Sequence, residues 1–186
     1  MILHRLKQET SVYHIQIERD LILLQNNIAI DTYCHMLQRF WGFYCPVEKQ
    51  IGMITIGHTF DFEQRRKRML LELDLQALGV SSLPPTCENL PALQSMAQAI
   101  GCLYVLEGAT LGGRIIAKHI EKMLGLGPQN GCAFFHSYGR DVGSMWRSFG
   151  ALVMAYASES GTEEIIVLSA CETFKKLRSW LLKDDV

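Results

Sequence analysis

Apolar residues recur along most of the chain at the three- and four-residue spacing of a helix rather than at the alternating spacing of a strand. Two such series predict the first two helices: Leu6, Val12, Ile15, Leu21, Leu24 and Ile28, then Tyr33, Leu37, Phe40 and Trp41. Only short apolar runs such as IGMITIG (51–57) suit a strand. The pattern therefore predicts an all-α fold class.

Turn-forming residues divide the rest of the chain into further helices. Breaks are predicted at 41–52, 78–91, 125–131 and 157–164. Between them, helices are predicted over 60–78 with charges on the outer face, from Pro91 to about Leu124, over 139–157, and after Thr162. A chain of 186 residues without internal repeats is expected to form one multi-helical domain over 1–186.

Composition narrows the possible partners and compartments. The net charge of −1 provides no basic surface for nucleic acid or anionic lipid, so neither is an expected partner. The six cysteines show no paired metal-binding spacing, which argues against a zinc site or a disulfide framework. Charges near the N-terminus argue against a secretory signal, and no apolar run is expected to span a membrane. The expected location is the cytoplasm.

The first predicted helix carries a polar stripe that contains a histidine. Lys7, Thr10, His14 and Glu18 fall within roughly 80° of one another at helical spacing. From spacing alone, a solvated helix face with a surface histidine is the favoured explanation of the stripe. Alternatively, His14 supplies the single axial bond that an iron held in a macrocycle requires, with Glu18 fixing the imidazole and Lys7 pairing with an anionic group of the ligand.

Three glycines interrupt the helix predicted to end near Leu124. Gly108 and Gly112 lie one turn apart on one face, and Gly113 is beside them. Each interior glycine costs a helix about 1 kcal/mol relative to alanine. Close helix–helix contact is one explanation, and a flat ligand lying against bare backbone at a kink is the other. Opposite a histidine helix, this segment suggests that a planar iron cofactor lies between the two.

The chain resembles the haem oxygenases, particularly the short bacterial branch associated with bacteriophytochromes. LKQETSVYHIQIE (6–18) is similar to the family's proximal segment, and LYVLEGATLGGRIIAKHI (103–120) to its kinked distal helix. FFHSYGRDVGSMWRSFG (134–150) and ACETFKKLRSWL (170–181) are similar to the segments that follow in the same order.

This resemblance implies that iron protoporphyrin IX, both cofactor and substrate, is held between the two helices. His14 would be the iron ligand with Glu18 as its partner, and Gly108 and Gly112 would lie against the distal face. Ring cleavage would give biliverdin, iron and carbon monoxide. The other residues implied in haem binding are Lys7, Thr10, Ala109, Gly113, Tyr138, Arg140 and Arg147, with the cationic side chains as partners for the propionates.

One position departs from the better-known members of the family. They carry an aspartate directly after the first distal glycine, and here that position is Ala109. Ordered water, backbone groups or Thr110 would then have to relay protons. A haem carrier or sensor without catalysis is therefore one alternative, and a thiaminase-like hydrolase on the same fold is another, although no acidic residues accompany Cys102 as a nucleophile there.

The resemblance also implies partners outside the chain. No flavin or nicotinamide fingerprint occurs in the sequence, so no tightly bound flavin or nicotinamide is expected. Electrons would come from a ferredoxin or a similar small reductase. The resemblance further implies a phytochrome that accepts biliverdin as a partner.

Overall fold

The structure is a computed structural model that describes residues 1–54 and 60–183. These residues form eight α-helices: α1 (Ile2–Asp20), α2 (Ile30–Met53), α3 (Phe62–Arg65), α4 (Arg68–Ala77), α5 (Met96–Leu124), α6 (Ala133–His136), α7 (Val142–Ser160) and α8 (Glu163–Leu181). Short 3₁₀ turns lie at Ile22–Leu24 and Gly139–Asp141. No strand occurs among the described residues, and the predicted all-α class is confirmed. Of IGMITIG (51–57), the predicted strand candidate, residues 51–53 form the end of α2, and 55–57 lie outside the described residues.

The central helix is α5, which packs along α8. Gly101 allows this close packing, because a Cβ at that position would lie 2.3 Å from the carbonyl oxygen of Ile166. The hydroxyl of Ser95 accepts a hydrogen bond from the backbone N–H of Gln98 at 3.3 Å and caps the first turn. The helix therefore begins at Met96, and the predicted start at Pro91 is wrong.

By length and composition alone, α5 is long and apolar enough to cross a membrane. From the sequence, no segment of this length and composition was expected. A little over half of its apolar window is buried inside the protein, however, and a core helix of a globular protein has the same composition.

Helix α2 continues through a predicted break. Pro46 lies inside it and has no N–H to donate to the carbonyl of Gly42. That carbonyl instead accepts a hydrogen bond from the backbone N–H of Cys87 at 2.8 Å. Buried apolar residues on both sides of the proline hold the helix in the core as far as Ile51. The break predicted over 41–52 is therefore wrong.

The single helix predicted over 60–78 is in fact two helices. The buried carboxylate of Glu48 on α2 accepts hydrogen bonds from the backbone N–H groups of Lys67 (2.6 Å) and Arg68 (3.3 Å), which caps a new helix, α4, at this point. The predicted outward placement of the charges also fails here, since Arg65 and Lys67 are buried.

Helix α1 is shorter than its apolar series predicts. It ends at Asp20, and Leu21 is already extended. Asp20 accepts a 2.7 Å hydrogen bond from Arg178 on α8, which fixes this end of α1 against the core. The predictions for the last two long helices are confirmed, since α7 covers most of 139–157 and Thr162 directly precedes α8.

Candidate haem site

A cavity of about 920 Å³ lies between α1 and α5. This volume is near the upper end of the range for small-molecule sites. Its lining is mostly apolar. Both predicted helices contribute to it: His14, Lys7, Thr10 and Glu18 from α1, and Gly108, Ala109, Gly112 and Gly113 from α5. Spacing along the sequence therefore predicted the two facing walls.

The α1 wall presents a histidine with a carboxylate beside it. Nδ1 of His14 lies 3.3 Å from a carboxylate oxygen of Glu18, and 52% of the His14 side chain is exposed. The ring of His14 meets that of Phe174 on α8 edge to face, with centroids 6.0 Å apart. The contact with Glu18 orients the imidazole through Nδ1, so Nε2 is the ring nitrogen that remains for binding a metal ion.

The three glycines of α5 have different surroundings. A Cβ at Gly112 would meet nothing within 4 Å, and one at Gly108 would meet only the ring of Trp146, at 3.8 Å. A Cβ at Gly113 would lie 3.0 Å from the carbonyl oxygen of Phe135. Gly113 therefore allows close packing of α6 on α5, whereas Gly108 and Gly112 leave bare backbone at the cavity. The chain stays α-helical through all three.

Buried aromatic residues from α2 and α6 form the inner end of the cavity. Phe134 packs against Phe40 and Tyr44 with ring centroids 5.3 Å apart in both pairs. Helix α6 is held by Asp74, whose carboxylate accepts hydrogen bonds from the backbone N–H groups of Ala133 (2.6 Å) and Phe134 (2.8 Å). A carboxylate in α4 thus positions the aromatic end of the cavity.

The burial of Asp74 predicts a pH dependence of stability. Asp74 is 1% exposed, and this burial raises the pKa of its carboxyl to about 6, although the two N–H groups oppose the shift. The folded protein therefore binds this proton more tightly than the unfolded chain, so stability should fall as pH rises from about 4 to about 6, by at most about 3 kcal/mol. Urea unfolding at several pH values should show a flatter profile for Asp74→Asn.

The exposed Asp31 provides a control for this measurement. Asp31→Asn should keep the wild-type slope of unfolding free energy against pH between 4 and 6. Parallel profiles for the wild type and Asp74→Asn would contradict the assignment of this slope to Asp74.

A buried polar cluster adjoins the α5 wall. The carboxylate of Glu107 accepts hydrogen bonds from Arg65 Nη1 at 2.6 Å and from the hydroxyl of Tyr138 at 2.7 Å. Lys67 Nζ donates to the Tyr138 hydroxyl at 2.6 Å and lies 3.4 Å from Glu107. Burial raises the pKa of Tyr138 and lowers that of Lys67. Two cations and a carboxylate are thus buried together, and Lys67 lines the cavity.

Large apolar side chains surround the mouth of the cavity. Ile15 on α1, Leu24 on the following turn, and Leu111 and Ile115 on α5 all line it, and each is at least 42% exposed. Apolar side chains left open to water around one cavity are typical of a surface that binds a ligand or a partner.

Comparison with known proteins identifies the family. The family model described as heme oxygenase matches residues 1–183. The chain belongs to the haem oxygenase family. It is 34% identical over 100 residues to a heme oxygenase of Xanthomonas campestris pv. campestris (strain 8004), an alignment covering 53% of this chain and 58% of that protein.

Solved structures of haem oxygenases share the fold. The NO- and CO-bound heme oxygenase of Neisseria meningitidis superposes with a TM-score of 0.84 at 22% identity, over 97% of this chain and 90% of that one. Heme oxygenase-1 of Synechocystis sp. PCC6803, solved in complex with heme, gives 0.75 at 16% identity over 97% and 90%. The enzyme of Leptospira interrogans gives 0.78 at 16%, over 97% and 98%.

The predicted haem-oxygenase residues outside the two walls are not brought to the cavity. Arg140 and Arg147 are exposed and do not line it, and an Nη atom of Arg147 lies 3.5 Å from the Cβ position of Gly143 on its own helix. The pair Tyr138 and Gly139, before α7, turns the chain away from the cavity. Tyr138 is half-buried and points into the polar cluster, so it adjoins the site only through Lys67.

Several residues that line the cavity were not predicted to do so, among them Trp146, Tyr104 and Lys67. Trp146 lies over Gly108 and packs on Tyr104, a second cavity residue, with ring centroids 5.6 Å apart. Lys67 was assigned to an outer helix face. Trp146 could have been predicted, because it stands next to Arg147 in the segment 134–150 that resembles the family. Nothing in the local sequence distinguishes Lys67 from its basic neighbours.

Proposed function

We propose that the protein is a bacterial haem oxygenase in activity, which binds iron protoporphyrin IX and cleaves it to biliverdin, iron and carbon monoxide with dioxygen and an external reductant. One observation carries the proposal: His14 lines one wall of a large apolar cavity, and the other wall is glycine backbone at Gly108 and Gly112. A planar ligand with one axial iron bond needs a nitrogen donor on one face and close, flat contact on the other.

The residues present fit this group. A Cβ at Gly112 would meet open space, so a flat ring can approach the α5 backbone there. The aromatic inner end and the apolar mouth suit the hydrophobic body of the macrocycle. Nε2 of His14 would ligate the iron, and Glu18 would raise the basicity of the imidazole through Nδ1.

The haem propionates need cations, and Lys7 is the α1 residue that supplies one. It is exposed, lines the cavity and lies two turns before His14 on the same stripe. An ammonium at the mouth pairs with a carboxylate while both keep contact with water, so Lys7 orients the ligand more than it adds affinity. Thr10 packs between them, with its hydroxyl donating to the carbonyl of Leu6 at 2.7 Å.

When bound, haem supplies the redox chemistry. The chain positions the macrocycle, excludes bulk water with the aromatic inner end, and leaves space at Gly108 and Gly112 for a small diatomic molecule. Electrons would come from a ferredoxin or a similar small reductase in the bacterial cytoplasm, with a biliverdin-accepting phytochrome as a further partner.

The test is a spectroscopic turnover experiment on the purified protein. Ferric haem is added at one equivalent, and the Soret band should sharpen on binding. Ascorbate in air with catalase present should then convert this band into the broad red absorption of biliverdin. Catalase removes free peroxide, so any product formed comes from the bound reaction.

A stable Soret band without product would overturn the oxygenase proposal and favour the haem carrier or sensor. The observation that keeps this alternative is Ala109, which brings no carboxylate to the α5 wall. A protein that leaves the haem spectrum unchanged would overturn the assignment of the cavity as well.

A further inference from the structure

The cavity has a charged group that the proposed function has not used. Three charged side chains are found among its described lining residues. Lys7 and Glu18 lie on α1, on the side of His14, and Lys67 lies in the turn between α3 and α4. The Lys67 side chain is 2% exposed, so it is a buried cation at the edge of an apolar space. Buried lysines are rare unless they are paired, and they readily change protonation state.

Lys67 is held on the glycine side of the cavity. Its ammonium donates to the carbonyl of Arg65 (2.6 Å) and to the hydroxyl of Tyr138 (2.6 Å), and lies 3.4 Å from Glu107. Glu107 directly precedes Gly108 on α5. These contacts hold Nζ next to the α5 residue that directly precedes the glycine wall.

The groups around Lys67 act on its ammonium in opposite directions, so that Nζ carries a proton that it can release. Glu107 from α5 and Glu48 from α2 raise the pKa of Lys67, while burial and the Arg65 guanidinium lower it, and burial is the largest effect. Glu107 is shared with Arg65, whose Nη1 lies 2.6 Å away, so it does not neutralise Lys67 alone. An ammonium in this balance is a better acid than one in water.

We propose that Lys67 is the acid of the cavity's glycine side, where Gly108, Ala109 and Gly112 carry no acidic group. This inference rests on the proposed oxygenase function. An Nζ–H bond breaks and its electron pair stays on nitrogen. The proton forms an O–H bond with dioxygen that has been reduced by the external donor. The neutral amine still donates a hydrogen bond to the Arg65 carbonyl, and it regains its proton from water that enters the cavity.

The experiment separates the charge of Lys67 from its proton. Lys67→Met removes both, whereas Lys67→Arg keeps the charge on a group that does not deprotonate. Lys118→Met, at an exposed position of α5, is the matched control. The first readout is the azide dissociation constant of the ferric haem complex, and the second is the rate of biliverdin formation with ascorbate.

We expect Lys67→Met to weaken azide binding about tenfold, because a cation close to the anion is lost. Lys67→Arg should bind azide within about twofold of the wild type, yet both variants should form biliverdin at least tenfold more slowly. Lys118→Met should match the wild type in both readouts.

Two results would overturn the inference separately from the proposed function. Wild-type azide affinity in Lys67→Met would mean that the ammonium does not face the ligand side of the haem. Wild-type turnover in Lys67→Arg would exclude Lys67 as the acid. If the wild-type protein itself formed no biliverdin, the proposed function and the acid role would both fail, and the azide comparison would still locate the charge.

Discussion

His14→Ala should lose most haem affinity and all biliverdin formation. Among the described residues, His14 is the histidine that lines the cavity, so its loss leaves the α1 wall without a nitrogen donor for iron. The apolar walls remain, and haem would still partition into the cavity. We expect the dissociation constant, measured by Soret titration, to rise at least a hundredfold, and turnover with ascorbate to be undetectable.

His4→Ala is the control, because His4 is exposed on the same helix and does not line the cavity. It should bind and degrade haem as the wild type does. Added imidazole should restore a sharp Soret band to His14→Ala, since the deletion leaves space for it beside Phe174. Wild-type affinity in His14→Ala, or equal losses in His4→Ala, would contradict the assignment of His14 as the ligand.

Local periodicity was sufficient to predict both cavity walls. Residues three and four apart share a helix face whatever surrounds them, so the alignment of Lys7, Thr10, His14 and Glu18 survives folding. The pair Gly108 and Gly112 follows the same rule. These assignments depend on the helical period alone, and an error at the end of α1 did not disturb them.

The errors arose where a distant residue decides the local structure. A proline such as Pro46 ends a helix unless another donor reaches the carbonyl that it leaves free. Here that carbonyl belongs to Gly42, and the donor is the backbone N–H of Cys87, which is distant in the sequence. Glu48 likewise starts α4 at Arg68 by accepting backbone N–H groups across the core. The resulting turn buries Lys67, so its place at the cavity could not be read from a run of basic residues.

The arginines were misplaced for a related reason. Arg140 and Arg147 lie in a segment that resembles the family pattern, and the resemblance fixes their order along the chain but not their direction. The direction depends on the turn at Ser137–Gly139, where both Ser137 and Gly139 have positive φ. Such a turn sends the two arginines to the surface and Trp146 to the cavity.

Gly112→Ala should stabilise the protein without haem and impair its reaction. The new methyl group would meet no atom within 4 Å, so the helix gains about 1 kcal/mol of propensity at no packing cost. The thermal midpoint should rise by about 2–4 °C for a chain of this size. In the haem complex, the same methyl group lies between the backbone and the ring. We expect turnover to fall several-fold, and Gly112→Leu to weaken haem binding at least tenfold.

Substitutions in the same helix distinguish this explanation from a general sensitivity of α5. Gly101→Ala should destabilise the protein by about 1–3 kcal/mol, because its methyl group would overlap the Ile166 carbonyl oxygen at 2.3 Å. Lys118→Leu, on the exposed face, should leave haem binding unchanged. If Gly112→Ala destabilised the fold as Gly101→Ala does, Gly112 would be a packing glycine. If Gly112→Leu bound haem normally, the ligand would not lie against this backbone. Higher stability in Gly112→Ala together with weaker haem binding in Gly112→Leu would mean that the glycine at this position serves ligand binding and not the fold.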